Sequence, residues 1–405
     1  MSNESKVISM ICKLKSMCNR RSTTGGETNS PLRRTVHCSL FTAHYSLLIV
    51  HCSLFIVLCS LFIVHCSLSQ LVPNLGGQRS GISAYQFLKI GADARGSGMG
   101  ESYIAVVNDI SALYWNPAAL INYGSAHVIV TMDDHGGSDA SSIVSGQVMA
   151  SHTQWLVDLQ HEFFGASYYL SSNDAVGVAF TSLHTDDMKV TTETQPTGTG
   201  SYFTYGDVAV AATYSRKMTD QFSFGATVRY VRETIDVLHM DGLVVDLGTF
   251  YYMGLGSSRF AVVVSNFGAN VQPTGTVTRS GGSTVNSFQS FSPPTMFKLG
   301  YAVEPWQNEF NRVTTSLQLN HPNDNAENIR LGVEYEYDKT FFARVGVKRT
   351  IGESLLGKAL STAEDYSFGA GVYLPLGIIR ASLDYAFANY NDLGSVHRIT
   401  VMVTY

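Results

Sequence analysis

Nine charged side chains, Arg229, Arg330, Glu334, Glu336, Arg344, Lys348, Arg380, Asp384 and Arg398, sit at the polar positions of a two-residue alternation. In "FSFGATVRYV", Phe222, Phe224, Ala226, Val228 and Tyr230 share one face and Arg229 falls on the other. "IRLGVEYEY" sets Ile329, Leu331, Val333, Tyr335 and Tyr337 against Arg330, Glu334 and Glu336. "FFARVGVK" does the same for Arg344 and Lys348, and "IRASLDYAF" for Arg380 and Asp384. Two kinds of chemistry fit such a mixed-sign face. Guanidinium and ammonium groups can hold the carboxylate head of a ligand, by paired hydrogen bonds or as point charges. The plainer account is mutual ion pairing that stabilises a polar interior. Arg229, Arg330, Glu334, Arg344, Arg380 and Asp384 are the candidates for either role.

Other chemistry is harder to assemble. Asp133-Asp134-His135 and Asn323-Asp324-Asn325 with Glu327 offer oxygen ligands of the kind calcium takes, but polar turns explain them more simply. The histidines after residue 69 (His127, His135, His152, His161, His184, His239, His321 and His397) are scattered without metal-ligand spacing. A lipase at a bilayer edge needs an outward Ser/His/Asn group. His152 in "ASHTQW" is the candidate, and Ser151 stands too close to it in sequence to serve as nucleophile. No enzyme, metal or cofactor is therefore expected.

The elements that must position these residues are strands. A period of two is that of extended chain, whose successive side chains point to opposite sides. Charged residues are 15% of the 405, against about 25% in ordinary globular chains, and aromatics are 11%. Strands are expected near 126–132, 163–171, 175–193, 204–215, 221–232, 243–253, 259–267, 295–303, 312–320, 328–337, 341–350, 366–374, 378–388 and 395–405, fourteen in all. The links "SSND", "KMTDQ", "GLGSS", "DKT" and "LPLG" are tight, whereas 194–203, 233–242, 268–294 and 351–365 are long. "EPWQNEF" at 304–310 breaks the pattern by being long on the tight side. An even number of strands, short turns on one side and long loops on the other belong to transmembrane β-barrels of the outer-membrane type. The final strand, "VHRITVMVTY", ends on an outward aromatic, Tyr405.

The first 69 residues read differently. They hold all six cysteines, seven Lys/Arg and two acids, leaving 20 basic and 30 acidic residues for 70–405. That balance excludes a nucleic-acid partner for the body. Five near-identical heptads begin at Val36, Ala43, Val50, Val57 and Val64. The apolar run 46–69 ends in Ser67-Leu68-Ser69, a small-x-small pattern that a signal peptidase could cut before Gln70. Segment 1–69 is read as a signal peptide or a mis-assigned, repeat-containing extension; a retained anchor or a coiled coil are the alternatives. The mature chain is expected in the outer membrane, its start near Gln70, in contact with outer-membrane lipid.

Between this segment and the wall expected at 125–405 lies 70–124. It contains "GADARGSGMG" and "SALYWNPAAL". Asn116 before Pro117 is pushed out of the helical region and can cap, and Pro117 suits a first helical position. Gly98 and Gly100 let backbone pass close to neighbours. Together with Tyr114 and Trp115 these residues are expected to form a hatch in or under the lumen. "YQFLKIGADARGSGMGESYIAVVNDISALYWNPAAL" (85–120) resembles the N-terminal signature of the PorV/PorQ family of Bacteroidetes outer-membrane proteins, and "HPNDNAENIRLGVEYEY" (321–337) resembles the same group. That family is itself similar to FadL-type transporters of long-chain fatty acids, in which an Asn-Pro-Ala segment also sits in the hatch. The resemblance implies a fourteen-stranded barrel with an N-terminal hatch. It also implies a part in type IX secretion, receiving secreted cargo or partner proteins. The Ser/Thr/Gly-rich loop 268–294 suits protein contact. The alternative is a FadL-like conduit for hydrophobic small molecules.

Overall fold

The structure, a computed structural model, describes residues 82–122, 145–279, 282–351, 365–377 and 379–405. In chain order the strands are β1 (Gly146–Gln154), β2 (Gln160–Tyr169), β3 (Asp174–His184), β4 (Met188–Lys189), β5 (Tyr202–Phe203), β6 (Tyr205–Lys217), β7 (Phe222–Ile235), β8 (Leu238–Tyr252) and β9 (Arg259–Gly268). There follow β10 (Val277–Thr278), β11 (Thr284–Val285), β12 (Met296–Gln307), β13 (Asn311–Pro322), β14 (Asn328–Tyr337), β15 (Phe341–Thr350), β16 (Tyr366–Leu376), β17 (Ile379–Asn389) and β18 (Ser395–Thr404). β4–β5 and β10–β11 are small separate hairpins. The other fourteen strands form a closed antiparallel barrel in which β1 pairs with β18.

Alternation builds the wall. In β18, Val396, Arg398, Thr400 and Met402 are buried, while His397, Ile399 and Val401 are exposed. In β7, Ser223, Gly225, Thr227 and Arg229 face inward and Phe224, Val228 and Tyr230 outward. An apolar outer surface over a sheet closed on itself leaves no unpaired backbone edge in lipid, and the fold is a transmembrane β-barrel. One rim carries the long loops 185–204 and 269–295; the other carries the short turns 170–173, 218–221, 253–258, 308–310 and 338–340.

Several expected boundaries move. The strand expected at 126–132 lies outside the described residues, and the first wall strand is β1 at Gly146–Gln154. The segment 233–242, expected as a long loop, is strand on both sides of a tight turn. β7 runs to Ile235 and β8 starts at Leu238, with Asp236 at φ 53° turning the chain. The anomaly at 304–310 shrinks, because β12 extends to Gln307 and β13 begins at Asn311. β3 stops at His184, and Met188–Lys189 belongs to a hairpin.

Residues 82–122 fill the lumen as a hatch of short helical turns, Gln86–Lys89, Ala94–Gly98, Ala112–Trp115 and Pro117–Ala119, joined by irregular chain. Met99, Ile104, Ile110, Leu113, Trp115 and Leu120 pack with the inward wall residues Met149, Phe163, Phe250 and Val263 into one apolar core. At several places hatch and wall touch backbone to backbone. A Cβ on Gly346 of β15 would overlap the Gly100 nitrogen, and one on Gly225 of β7 would overlap Pro117. Only glycine permits that approach.

Candidate functional site

Asp93 organises the hatch. It caps the helix Ala94–Gly98, one carboxylate oxygen accepting from the Gly96 N–H at 2.9 Å. The other accepts from the Trp115 indole N–H. Trp115 is edge-on to Tyr103 (5.8 Å between centroids) and to Tyr114 (4.8 Å). The Tyr114 hydroxyl donates to the Leu88 carbonyl at 3.1 Å. Asn116 is extended (φ −157°, ψ 104°), as the following proline demands, and its side chain accepts from Ala118 N–H at 3.1 Å. Its amide donates to the Ile104 carbonyl in the hatch (3.1 Å) and to the Thr249 carbonyl in the wall (3.2 Å). Burial, then the neighbouring Asp109 carboxylate, pushes Asp93 up to about 6, against the lowering effect of the Trp115 and Gly96 hydrogen bonds.

Ion pairs lock the hatch to the wall. Arg95 binds Glu334 through two nitrogens (2.9 and 2.8 Å) and Asp109 at 2.8 Å. Arg344 bonds Glu334 at 2.6 Å and Asp384 at 2.5 Å. Arg330 bonds Glu101 at 2.5 Å. Arg398 reaches Ser97 and Thr153. Gln318 accepts from the backbone N–H groups of Tyr103 (3.0 Å) and Ile104 (3.2 Å). Gly100 N–H donates to Ser367 at 2.9 Å, and Gly98 lies against Gly369.

The structure thus brings Arg330, Glu334, Arg344 and Asp384 together with the hatch. It does not bring Arg229 or Arg380 to the same place. Arg229 pairs within the wall, with Asp246 (2.9 Å) and Asn266 (2.8 Å), at the bulge where the β8–β9 register shifts. Arg380 lies opposite Pro375 and Thr404, toward the short-turn rim. Asp324 and Glu327 are engaged by Lys89 (3.0 Å) and His321 (3.0 Å), and no metal-binding cluster occurs among the described residues. Asp133-Asp134-His135 lies outside the described residues. Sequence reading missed Asp93, Arg95 and Glu101. The available signal was charge inside an otherwise apolar, glycine-rich segment, because a charge buried there must be paired.

One lysine stands apart. A cavity of about 160 Å³ opens between hatch and wall near the long-loop rim, lined by Lys89, Glu101, Tyr114, Lys298, Arg330 and Lys348 among others. Lys298 of β12 is only 4% exposed. Its ammonium lies 5.9 Å from the centre of the Tyr114 ring and has no ion pair among the described residues. A second cavity, of about 180 Å³, lies on the short-turn side and is lined by Arg95, Val106, Asn108, Arg259, Glu304 and Arg312. Trp115 borders the first and Arg95 the second, and Tyr103 touches both side chains; the Arg95 guanidinium is 5.5 Å from the Tyr103 ring centre.

No family model and no curated protein matches the chain. Among solved structures, the Pseudomonas putida toluene transporter TodX is similar at 13% identity and a TM-score of 0.47, over 81% of this chain and 99% of that one. The CymD monoaromatic hydrocarbon channel is similar at 12% identity and 0.45, over 78% and 96%. The Ralstonia pickettii toluene transporter TbuX is similar at 11% identity and 0.45, over 78% and 97%. These neighbours are hydrocarbon channels and transporters, and the PorV/PorQ group is not among the three.

Proposed function

We propose that the chain is an outer-membrane conduit for small hydrophobic molecules with an anionic head, gated by the hatch. Segment 1–69 is removed near Gln70 on the way, and 70–124 supplies the hatch. The observation that carries the proposal is the buried Lys298, without an ion pair among the described residues, facing a cavity in which Lys89, Arg330 and Lys348 outnumber the one carboxylate, Glu101. A buried ammonium without a direct ion-pair partner is costly, and an incoming carboxylate lowers that cost. An apolar cavity of about 150 Å³ accommodates a benzene ring, so an aromatic or short-chain acid fits in size. Passage requires the Trp115–Tyr103 contact to part, while Arg95 stays anchored on Glu334. A barrel that only docks cargo on its rim has no use for a cation-rich cavity between hatch and wall.

The test is uptake by vesicles holding the purified barrel, with benzoate and toluene as probes. Benzoate entry above that of empty vesicles is expected, and Lys298→Met should lower it about tenfold, the worth of one charge-assisted hydrogen bond. Entry no faster than in empty vesicles for both probes would sink the conduit. Type IX secretion, with cargo recovered on pull-down, would then be the reading to pursue.

A further inference from the structure

A second site lies on the outside of the barrel. Ser395, the first residue of β18, and His397, two positions on, both point outward. The Ser395 hydroxyl is 3.3 Å from His397 Nε2, and the Tyr385 hydroxyl of β17 is 2.8 Å from His397 Nδ1. The imidazole is held edge-on to Phe387 at 5.5 Å between centroids. Gln154, exposed at the end of β1, is the cross-strand partner of His397, so the two side chains leave the wall side by side on its outer face. The pair singled out in the sequence is not this group. Ser151 faces inward onto Thr400 (2.8 Å), and outward His152 is bonded to Glu162 (2.6 Å).

We infer that Ser395, His397 and Tyr385 form a hydrolytic site for the acyl esters of membrane lipids. Nucleophile next to base, base oriented by a third group, is the arrangement that activates a serine. With Tyr385 Oη accepting from Nδ1–H, Nε2 carries the lone pair that takes the serine proton. Ser395 Oγ bonds to the ester carbonyl carbon, and the Gln154 amide donates to the oxyanion. The carbon–alkoxy bond breaks, and His397 passes the proton to the departing alcohol. Water then attacks the acyl-serine, His397 takes its proton and returns one to Ser395 Oγ, and the fatty acid leaves. Location matches the substrate. β18 begins at the long-loop rim, where a membrane strand leaves hydrocarbon for headgroups and lipid ester groups lie. Ser395 and His397 are catalytic residues in this scheme and Tyr385 is a positioning residue.

The experiment uses the full mature barrel in detergent, treated with a fluorophosphonate probe and assayed on phospholipid mixed micelles. Expected are a covalent adduct mapped to Ser395, loss of adduct and turnover in Ser395→Ala, and a fall of ~10²–10⁴-fold in His397→Ala, with heat-modifiable migration unchanged. Tyr385→Phe should lower kcat while leaving KM in place. In a Ser395→Cys variant, whose body has no other thiol, alkylation at pH 7 should slow roughly tenfold when His397→Ala is added. No adduct at Ser395 in the unaltered protein, or adduct formation and Cys alkylation indifferent to His397→Ala, overturns the inference.

Discussion

The two halves of the hatch–wall interface use the same residue types to opposite ends. Toward the short-turn side, Arg95, Arg344, Glu334, Asp109 and Asp384 pair with one another at 2.5 to 2.9 Å, and Arg344 has no exposed side-chain surface. Toward the long-loop side, Lys298, Arg330, Lys348 and Lys89 surround a cavity with Glu101, and Lys298 is left with an aromatic face. A closed network has no charge to offer a ligand and acts as a fastening. An open one holds an ammonium in low dielectric until an anion arrives. The sign of the surplus, rather than the presence of charge, separates scaffold from site.

The sharpest way to break the comparison is to unbalance the closed half. Glu334→Ala leaves Arg95 and Arg344 facing each other without their shared carboxylate, at a cost of about 3–5 kcal/mol. Limited proteolysis should then cut 82–122 while the wall keeps its heat-modifiable migration, since its backbone bonds do not depend on the hatch. Unchanged cleavage would show that apolar packing alone seats the hatch. Trp115→Ala should cost about 3–5 kcal/mol through the cavity it leaves and should also open a leak to small solutes between the two cavities. Conductance in planar bilayers reads that effect, and a variant as tight as the parent would rule out the Trp115–Tyr103 contact as the barrier.

A smaller effect is set by Asp93. Its carboxyl sits at about 6 in the folded hatch and at 3.8 when free. The folded form therefore holds the proton more tightly, so hatch stability is greatest below pH 4, falls between pH 4 and 6, and is level above. Protease protection measured from pH 4 to 8 should follow that slope, and Asp93→Asn should flatten it. The smallest change is expected in the open half. Lys298→Met removes a buried ammonium without an ion pair among the described residues and should leave hatch protection equal or higher, although it abolishes anion preference. Loss of protection there would place Lys298 in the fastening instead.

The wall was legible because period two is written locally: Ile329 to Tyr337 and Phe222 to Tyr230 announce their faces within ten residues. β1 escaped because "GQVMASHTQ" carries His152 and Gln154 on its outer face, which blurs the contrast, so an alternating stretch upstream was read as the first strand. Pro117 and Asn116 carried their cap in their own chemistry. The fastening did not, because Arg95 and Glu334 are 239 positions apart and no local spacing couples them. The outward Ser395–His397 pair was equally hidden: two residues apart in sequence, it gains meaning only once Tyr385 and Gln154 arrive from neighbouring strands.

The contacts of Gly346 with Gly100 and of Gly225 with Pro117 bear on how the molecule is made. Two backbones that meet without side chains between them leave no clearance for one to slide past the other. A finished ring could not be threaded by this segment from either rim, and a finished segment could not be withdrawn intact. The chain order offers the resolution: 82–122 precedes every wall strand, and the seam that completes the ring joins β1 to β18 at the very end. The hatch then behaves as a mandrel around which the sheet is wound, and a bulkier side chain at Gly346 would appear first as a failure of ring closure during assembly, before any question of gating arises.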